Sequence, residues 1–348
     1  MSLTRFLSTS LLASVALAGC IANAETQTPG AVIDPQLEGA LASFDVPGIA
    51  MATLADCEPA AISVAGEANI ERAIPVSSRT AFEAASLSKP VFAWLVVKLA
   101  DEGKIDLDRR LAEDFAYSRI SDADKYEQLT PRMILSHRTG LPNWVGDTDD
   151  PDRRDIVPFE SDPGTTYSYS GEAYELLRAY VEAQTGRSLE QLFQAYLGQV
   201  MPDSTFSGPL SDKVEPSLGY RSMSQPQSGR ALDIGGGGSA GGLVTTIDDY
   251  AAFVSHVCKG NDLSSEALTA MLEPQSPVPA GDFPAPASWA LGWNTMQLGP
   301  EKFVMHDGNN GEYRTMTAFL PETGEGYVFL TNGTNGGDLI LSLIEAMQ

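Results

Sequence analysis

The sequence is poor in cysteine, in positive charge and in long apolar runs, and each shortage excludes something. Three cysteines in 348 residues are too few for a disulfide framework. The chain has 22 lysine and arginine residues against 46 aspartate and glutamate residues, so its net charge is −24. Such an acidic balance argues against nucleic acid and other polyanionic partners. Beyond residues 1–24, no apolar stretch is long enough to cross a bilayer. We therefore expect a mature chain that is soluble or tethered by lipid.

Residues 1–24 have the features of a secretory signal sequence, because Arg5 precedes a short apolar run. Cys20 lies in Leu17-Ala18-Gly19-Cys20, which resembles the bacterial lipoprotein box whose cysteine is lipidated and becomes the new N-terminus. Ordinary cleavage after Ala24 is the alternative. We expect a periplasmic protein and favour a lipoprotein anchored to the membrane through Cys20.

Two cysteines, two histidines and one acidic loop are interpreted as having no catalytic or metal-binding role. Cys57 and Cys258 lie far apart in the sequence, and we expect them to be unpaired. The acidic run at 147–152 lacks the glycine and the distal glutamate of a calcium loop. His137 is interpreted as a buried structural histidine that closes a helix, and His256 as a residue that faces solvent. No metal site and no organic cofactor are expected.

The strongest candidate for a functional motif is Ser86-Leu87-Ser88-Lys89, which has the form S-x-x-K. Apolar residues then recur every four positions from Val91 to Leu99, which predicts a helix that begins at or just before Ser86. Pro90 fits the first turn of such a helix. Residues three apart on a helix are neighbours, so the Lys89 amine would reach the Ser86 hydroxyl.

This spacing has a chemical consequence and a plain alternative. A buried ammonium at a helix N-terminus loses its proton easily, and a neutral Lys89 could accept the proton of Ser86. The alternative is a helix cap followed by a surface lysine, because S-x-x-K also occurs by chance. On this motif alone, both interpretations stay open.

The order of predicted elements indicates an α/β fold with a helical middle. A helix from Pro35 to about Phe44 and strands at 49–54 and 60–64 precede the Ser86 helix. Helices are predicted at 131–137, 171–186 and 247–257, strands at 290–297, 303–306, 313–320 and 327–331, and a final helix at 339–346. The strands near the two ends of the chain are expected to share one antiparallel sheet flanked by helices.

At this point the chain resembles the β-lactamase/penicillin-binding-protein-like serine hydrolases, especially their class C β-lactamase, DD-peptidase and esterase branch. Five segments carry the resemblance, in the family's order, over nearly the whole mature chain. They are Phe82–Lys89 (the nucleophile segment), Leu135–Pro142 (L-x-H-x-S-G-L-P), Pro163-Gly164 with Tyr169-Ser170-Gly171 (Y-x-N), Ser239–Leu243 with Asp248–Tyr250 (A-G-G-L…D), and His306-Asp307-Gly308 (K-T-G).

The resemblance implies the β-lactamase/transpeptidase-like fold, an antiparallel sheet flanked by helices with an inserted, mostly helical subdomain. Residues 25–348 would form one serine hydrolase domain after the signal sequence. Its α/β part would span about 30–100 and 240–348, and its helical part about 101–239.

The resemblance also implies further site residues. Tyr169, beside Ser86 and Lys89, would relay a proton from the serine to the leaving group and then activate the deacylating water. A buried structural tyrosine is the alternative for Tyr169. The backbone N–H groups of Ser86 and of Asn309, just after Gly308, would bind the oxyanion.

Two departures from the family pattern bear on the substrate. Gly171 replaces the asparagine whose amide grips a substrate amide, and His306 replaces the lysine that attracts a substrate carboxylate. His306 could still hydrogen-bond substrate from its strand, although it is mostly neutral at pH 7. Both departures weaken recognition of β-lactams and D-alanyl peptides.

A second serine motif competes with the first. Gly237–Gly241 satisfies G-x-S-x-G around Ser239, the nucleophile elbow of α/β-hydrolases. That motif needs a strand before the serine and a helix after it. Residues 231–234 are a poor strand, and such a glycine-rich tract produces the pattern by accident, so Ser86 is preferred.

The sequence therefore predicts a serine hydrolase that works through an acyl-enzyme at Ser86 on a small molecule, most readily a carboxylic ester. A D-alanyl peptidase or a β-lactamase is the alternative within the same chemistry. A non-catalytic, penicillin-binding-like sensor of cell-wall fragments is the alternative of a different class.

Overall fold

The computed structural model of the protein describes residues 32, 33, 35–146, 155–234, 236, 238–281 and 285–347. The predicted signal sequence, Cys20 and the acidic run at 147–152 lie outside these residues, and so do Gly235 and Gly237. None of the helices within these ranges is both long enough and apolar enough to cross a membrane.

Most strands belong to one large, mainly antiparallel sheet. The strands are β1 Val32–Ile33, β2 Gly48–Ala55, β3 Glu58–Asn69, β4 Ile74–Pro75, β5 Thr80–Glu83, β6 Glu215–Pro216, β7 Val244–Thr245, β8 Ser276–Pro277, β9 Ala287–Trp289, β10 Asn294–Leu298, β11 Glu301–Asn309, β12 Arg314–Phe319 and β13 Gly326–Thr331. The large sheet has the order β1-β3-β2-β13-β12-β11-β10-β9-β8, with β4 paired to β3. A smaller sheet has the order β6-β5-β7.

Helices cover the large sheet and fill the middle of the chain. They are α1 Pro35–Phe44, α2 Ser88–Asp101, α3 Ala123–Tyr126, α4 Pro131–Leu135, α5 Gly171–Thr185, α6 Leu189–Tyr196, α7 Ile247–Cys258, α8 Ser265–Leu272 and α9 Gly336–Met347. Short 3₁₀ turns occupy Ala85–Leu87, Leu111–Glu113 and Pro226–Ser228. The second of the predicted helices, α2, is apolar on nearly every side and almost wholly buried, as a helix at the centre of a large core should be.

The two ends of the chain share the large sheet, as predicted. β13 runs antiparallel to β2, with Phe329 opposite Met51, and β2 pairs in turn with β3. The predicted fold class, an antiparallel sheet flanked by helices, is confirmed. The start of the helix after Ser86 also agrees: the 3₁₀ turn Ala85–Leu87 continues directly into α2, with Pro90 in its first turn.

The expectation that Cys57 and Cys258 are unpaired is wrong, because they form a disulfide with their Cα atoms 5.6 Å apart. Cys57 lies in the tight turn between β2 and β3, where its φ is positive, and Cys258 is the last residue of α7. Since α7 packs across β2 and β3, its end reaches that turn. The distance between the two cysteines in the sequence could not predict that the fold brings them together.

Two local predictions also need correction. The strand predicted at 290–297 starts too early, because residues 290–293 form the turn of the β9–β10 hairpin and only β10 follows. In that turn Gly292 adopts a positive φ and Ala290 N–H donates to the Trp293 carbonyl. His256 does not face solvent. It is 7% exposed, and its ring meets Trp94 edge-on while Nε2 lies 3.4 Å from a carboxylate oxygen of Asp262.

Candidate active site

The nucleophile segment is a strained turn between β5 and α2. Ala85 has a φ of +50°, which is unfavourable for a residue with a Cβ and is characteristic of functional turns. Ala84 N–H donates to the Leu243 carbonyl, and the Ser88 hydroxyl accepts from Leu243 N–H, so the turn is held against a neighbouring segment. Ser86 is left partly exposed at the top of this turn.

Lys89 lies beneath Ser86, as the three-residue spacing predicts. Its Nζ is 3.1 Å from Ser86 Oγ and donates to the Ala240 carbonyl at 2.7 Å. The side chain is 1% exposed, and burial lowers the pKa of Lys89 to about 7, while the carboxylates of Glu175 and Asp307 act in the opposite direction. The neutral form of Lys89 is therefore well populated near neutral pH.

Tyr169 approaches Ser86 from the helical part of the molecule, and its hydroxyl interacts with the Ser86 side chain. Lys89 Nζ lies 4.7 Å from the centroid of the Tyr169 ring. Desolvation raises the pKa of Tyr169 well above its ordinary value, so its hydroxyl keeps its proton near neutral pH and can donate a hydrogen bond.

His137 is buried, as expected, and it positions Tyr169. Its carbonyl accepts from Ser168 N–H and its Nδ1 accepts from Ser170 N–H, which fixes the backbone on both sides of the tyrosine. Its ring also lies 4.3 Å from the Tyr169 ring, centroid to centroid. Burial lowers the pKa of His137 far below its usual range, so the imidazole is neutral.

Ser239, the competing serine, has a structural environment. It is fully buried, and its hydroxyl donates to the Tyr174 carbonyl at 2.9 Å and lies 3.1 Å from Glu175 Oε1. The same carboxylate oxygen accepts from Ala240 N–H, and Arg178 pairs with the other oxygen. The described residues 231–234 form no strand. Ser239 and Glu175 thus hold the Ala240 carbonyl that receives the Lys89 amine.

The opposite wall of the site is the end of β11. A Cβ on Gly308 would lie 2.8 Å from the Ala84 carbonyl oxygen and 2.2 Å from Thr315 Oγ1, so glycine is required for this strand to approach the nucleophile turn. Asn310 N–H donates to the Tyr313 carbonyl, toward β12. Since N–H groups alternate in direction along a strand, Asn309 N–H points away from β12.

His306 is buried behind the site rather than on its surface. It is 2% exposed, and Nδ1 donates to the Asp307 carbonyl at 2.6 Å. Nε2 has no hydrogen-bond partner among the described residues. Burial lowers the pKa of His306 to about 3, so this position supplies no positive charge. The expected hydrogen bond from His306 to a substrate stays a prediction without support from this geometry.

Gly171 faces an indole that the sequence did not reveal. A Cβ on Gly171 would lie 2.4 Å from the ring of Trp144. The two residues beside Trp144 are fixed to the start of α5, because the Asn143 carbonyl accepts from Gly171 N–H and Glu172 Oε1 accepts from Val145 N–H. The indole therefore stands where a side chain at position 171 would have to go.

Ser86 opens on a cavity of about 360 Å³ between the sheet and the helical part. Its lining contains, besides Ser86 and Lys89, the following residues: Asn143, Trp144, Tyr167, Tyr169, Ala240, Gly241, Trp289, Asp307, Asn309 and Asn310. No group of three or more histidine, cysteine, aspartate or glutamate side chains within the described ranges is arranged to hold a metal ion. The cavity therefore brings the predicted Ser86, Lys89, Tyr169 and Asn309 together around one space.

This fold agrees with comparisons to known proteins. The chain belongs to the Beta-lactamase family, whose model matches residues 33–343. A penicillin-binding protein from Bacillus halodurans superposes with a TM-score of 0.75 over 90% of this chain and 100% of that one, at 21% identity, which shows the shared fold.

Two curated relatives are hydrolases by name. Unguisins hydrolase ungD′ of Aspergillus campestris is 27% identical over 74% of this chain, and the match covers 54% of that protein. Esterase EstB of Burkholderia gladioli is 30% identical over 38% of this chain and 40% of its own length. The chain thus spans little more than half the length of the Aspergillus relative.

Proposed function

We propose that this protein is a serine hydrolase that forms an acyl-enzyme at Ser86 and acts most readily on carboxylic esters. The observation that carries the proposal is the placement of Lys89 Nζ 3.1 Å from Ser86 Oγ, inside a buried site that lowers the pKa of Lys89 to about 7. A lysine that is neutral near pH 7 and touches a partly exposed serine is suited to remove the serine's proton.

The proposed reaction has two halves. Ser86 Oγ attacks the ester carbonyl while its proton passes to neutral Lys89, and the oxyanion accepts from the N–H groups of Ser86 and Asn309. The tetrahedral intermediate then expels the alcohol, which takes a proton from Lys89 through the Tyr169 hydroxyl. In the second half, water attacks the acyl carbon while its proton passes along the same route to Lys89. The bond from that carbon to Ser86 Oγ then breaks, Oγ takes the proton back from Lys89, and the acid is released.

The preference for esters is supported by Gly171 and Trp144. No amide side chain is present at position 171, and the indole fills the space that it would need. An amide substrate would therefore bury its N–H or carbonyl without a partner there, at a cost of about 1–3 kcal/mol. This corresponds to a factor of roughly 5–150. A simple ester has no N–H to bury.

Two measurements test the proposal. A fluorophosphonate should label the protein at Ser86 and fail to label Ser86→Ala, whereas a sensor without acylation chemistry would not react. A panel of p-nitrophenyl esters, nitrocefin and D-Ala-D-Ala peptides should then give the highest kcat/KM for a short-chain aryl ester. A tenfold or greater preference for nitrocefin would make β-lactamase the better description.

We also propose that the chain is exported and anchored through lipidated Cys20. The disulfide Cys57–Cys258 supports an oxidising compartment such as the periplasm, because such bonds rarely persist in the bacterial cytosol. Cys20→Ser should move the protein from the membrane fraction to the soluble fraction. If both forms are equally soluble, cleavage after Ala24 is the better interpretation.

A further inference from the structure

The active-site cavity presents an unusual balance of charge to a ligand. Lys89 and Asp307 are the charged residues among the described residues that line it. Lys89 is buried, and its amine is directed at Ser86 and the Ala240 carbonyl. Asp307, by contrast, keeps an exposed side chain. The charge that a substrate meets at the cavity surface is therefore negative.

Asp307 has no cationic partner of its own at the surface. Its carboxylate forms no ion pair with another residue in the described part of the chain, and it accepts a hydrogen bond from its own backbone N–H. The nearest contribution of opposite sign comes from Lys89, which lies inside. His306, the preceding residue, is buried and neutral. The carboxylate thus retains acceptor capacity toward the cavity.

Aromatic rings line the same cavity. Trp144 is 40% exposed, and Tyr167 and Trp289 lie 5.8 Å apart, centroid to centroid. The face of an aromatic ring attracts a cation, most strongly when the ring is an indole. A carboxylate together with aromatic walls is the combination that binds ammonium groups, and it repels a substrate carboxylate.

We propose that Asp307 and the surrounding aromatic rings form a cation subsite, so that the preferred esters carry an ammonium or quaternary ammonium group. This inference rests on the proposed hydrolase function, but binding of the cation does not require turnover. It assigns to Asp307 a role in specificity rather than in bond breaking. Esters whose acyl or alcohol part is anionic should be the poorest substrates.

The first test measures binding alone. Tetramethylammonium is titrated into the full-length protein while tryptophan fluorescence is followed, since Trp144 and Trp289 line the cavity. Saturable binding is expected, and Asp307→Asn should weaken it about tenfold or more. Asp212→Asn is the matched control, because it removes one exposed carboxylate outside the cavity and should bind as the unmodified protein does. No saturable binding, or equal weakening in both variants, would overturn the subsite.

The second test uses pairs of substrates that differ only in charge. One pair is the p-nitrophenyl ester of γ-trimethylammoniobutyrate and its uncharged tert-butyl isostere; the other is acetylcholine and its tert-butyl isostere. All rates are taken at a pH well above 7, so that a shift in the pKa of Lys89 does not contribute. The cationic member of at least one pair should be favoured about tenfold in kcat/KM. Asp307→Asn should bring the ratio of the two kcat/KM values within a pair close to one, and this ratio cancels any effect of the substitution on the chemistry that both members share.

The two proposals fail in different ways. If Ser86 does not react with a fluorophosphonate, the hydrolase function is wrong, and the subsite is judged by fluorescence alone. If Ser86 reacts but neither cationic ester is preferred, the hydrolase function stands and the cation subsite is wrong. Protection of Ser86 from labelling by tetramethylammonium, lost in Asp307→Asn and kept in Asp212→Asn, would support both.

Discussion

Ser86 and Ser239 lie in two segments that each match a nucleophile motif, and the structure gives them opposite environments. Ser86 is partly exposed on a cavity, with a desolvated amine 3.1 Å away. Ser239 is fully buried, and its neighbours are the Tyr174 carbonyl and Glu175. The Glu175 carboxylate also accepts from Ala240 N–H and pairs with Arg178, so it is engaged in holding this segment in place.

The difference between the two serines shows that the residues around a motif, and not the motif itself, decide whether its serine can react. Both serines belong to one site, because Ser239 fixes the segment whose Ala240 carbonyl receives the Lys89 amine. Ser86 is partly exposed and lies beside a desolvated amine, which suits it to the proposed reaction. Ser239 is buried and hydrogen-bonded, which suits it to holding the segment that receives that amine.

The largest expected effect comes from removing each serine in turn. Ser86→Ala should lower ester kcat/KM by on the order of 10⁴-fold or more, because no other group can accept the acyl chain. Ser239→Ala should keep activity within about fivefold and lose about 1 kcal/mol of unfolding free energy, the worth of one buried hydrogen bond. Steady-state kinetics and urea unfolding check these values, and the reverse pattern of activity would assign the reaction to Ser239.

The next prediction tests whether Lys89 acts as a base or only as a structural cation. Lys89→Arg keeps the positive charge but cannot lose a proton near neutral pH, so kcat should fall by on the order of 10² or more. Lys98→Arg, on the same helix, pairs with Glu102 and should have no such effect. Full activity in Lys89→Arg, measured with a p-nitrophenyl ester, would mean that the lysine is only structural.

A smaller effect concerns the indole beside Gly171. Gly171→Asn alone should place its Cβ against Trp144 and gain nothing, so the informative variant is Trp144→Ala with Gly171→Asn. With the space open, the new amide should raise kcat/KM for nitrocefin relative to a p-nitrophenyl ester by roughly 5–150-fold. Trp144→Ala alone is the control. If it matches the double variant, the asparagine amide is not the cause.

The mildest perturbation is a change of pH, which should alter the activity through the protonation of Lys89. Because folding lowers the pKa of Lys89 from 10.5 to about 7, kcat/KM for a neutral ester should fall about tenfold per pH unit below that value and level off above it. Between about pH 7 and 10.5 the unfolded chain holds a proton that the folded chain has released, so the contribution of Lys89 to stability rises with pH across that window. A pH–rate profile with no acidic limb near 7 would contradict the role of Lys89.

Local patterns predicted the framework and the centre of the site. The spacing of Ser86 and Lys89, the apolar period of α2 and the strands near both ends of the chain all depend on neighbours in sequence. Gly308 is also a predicted residue of the site, and the structure explains why a glycine is needed there: a side chain would keep β11 from approaching the turn that carries Ser86.

What the sequence did not reveal depends on tertiary neighbours. Trp144 has no motif, and its position follows from hydrogen bonds between the 143–145 segment and the start of α5. The pairing of Cys57 with Cys258 and the burial of His256 follow from where the end of α7 meets the sheet and α2. The role proposed for Asp307 depends on its tertiary setting as well, because it rests on the absence of an exposed cation among the described residues that line the cavity.

The pairing of β2 with β13 has a consequence for the order of folding. Met51 in β2 pairs with Phe329 in β13, which is synthesised almost at the end of the chain. One edge of β2 therefore stays unpaired through most of synthesis. A contact between residues so far apart in sequence also slows folding. Ser86 and Lys89 lie in the first third of the chain, whereas Asp307 and Asn309 lie near its end. A nascent chain that stops before β11 would therefore carry Ser86 and Lys89 without the wall that completes the cavity, and activity should appear only with the complete sheet.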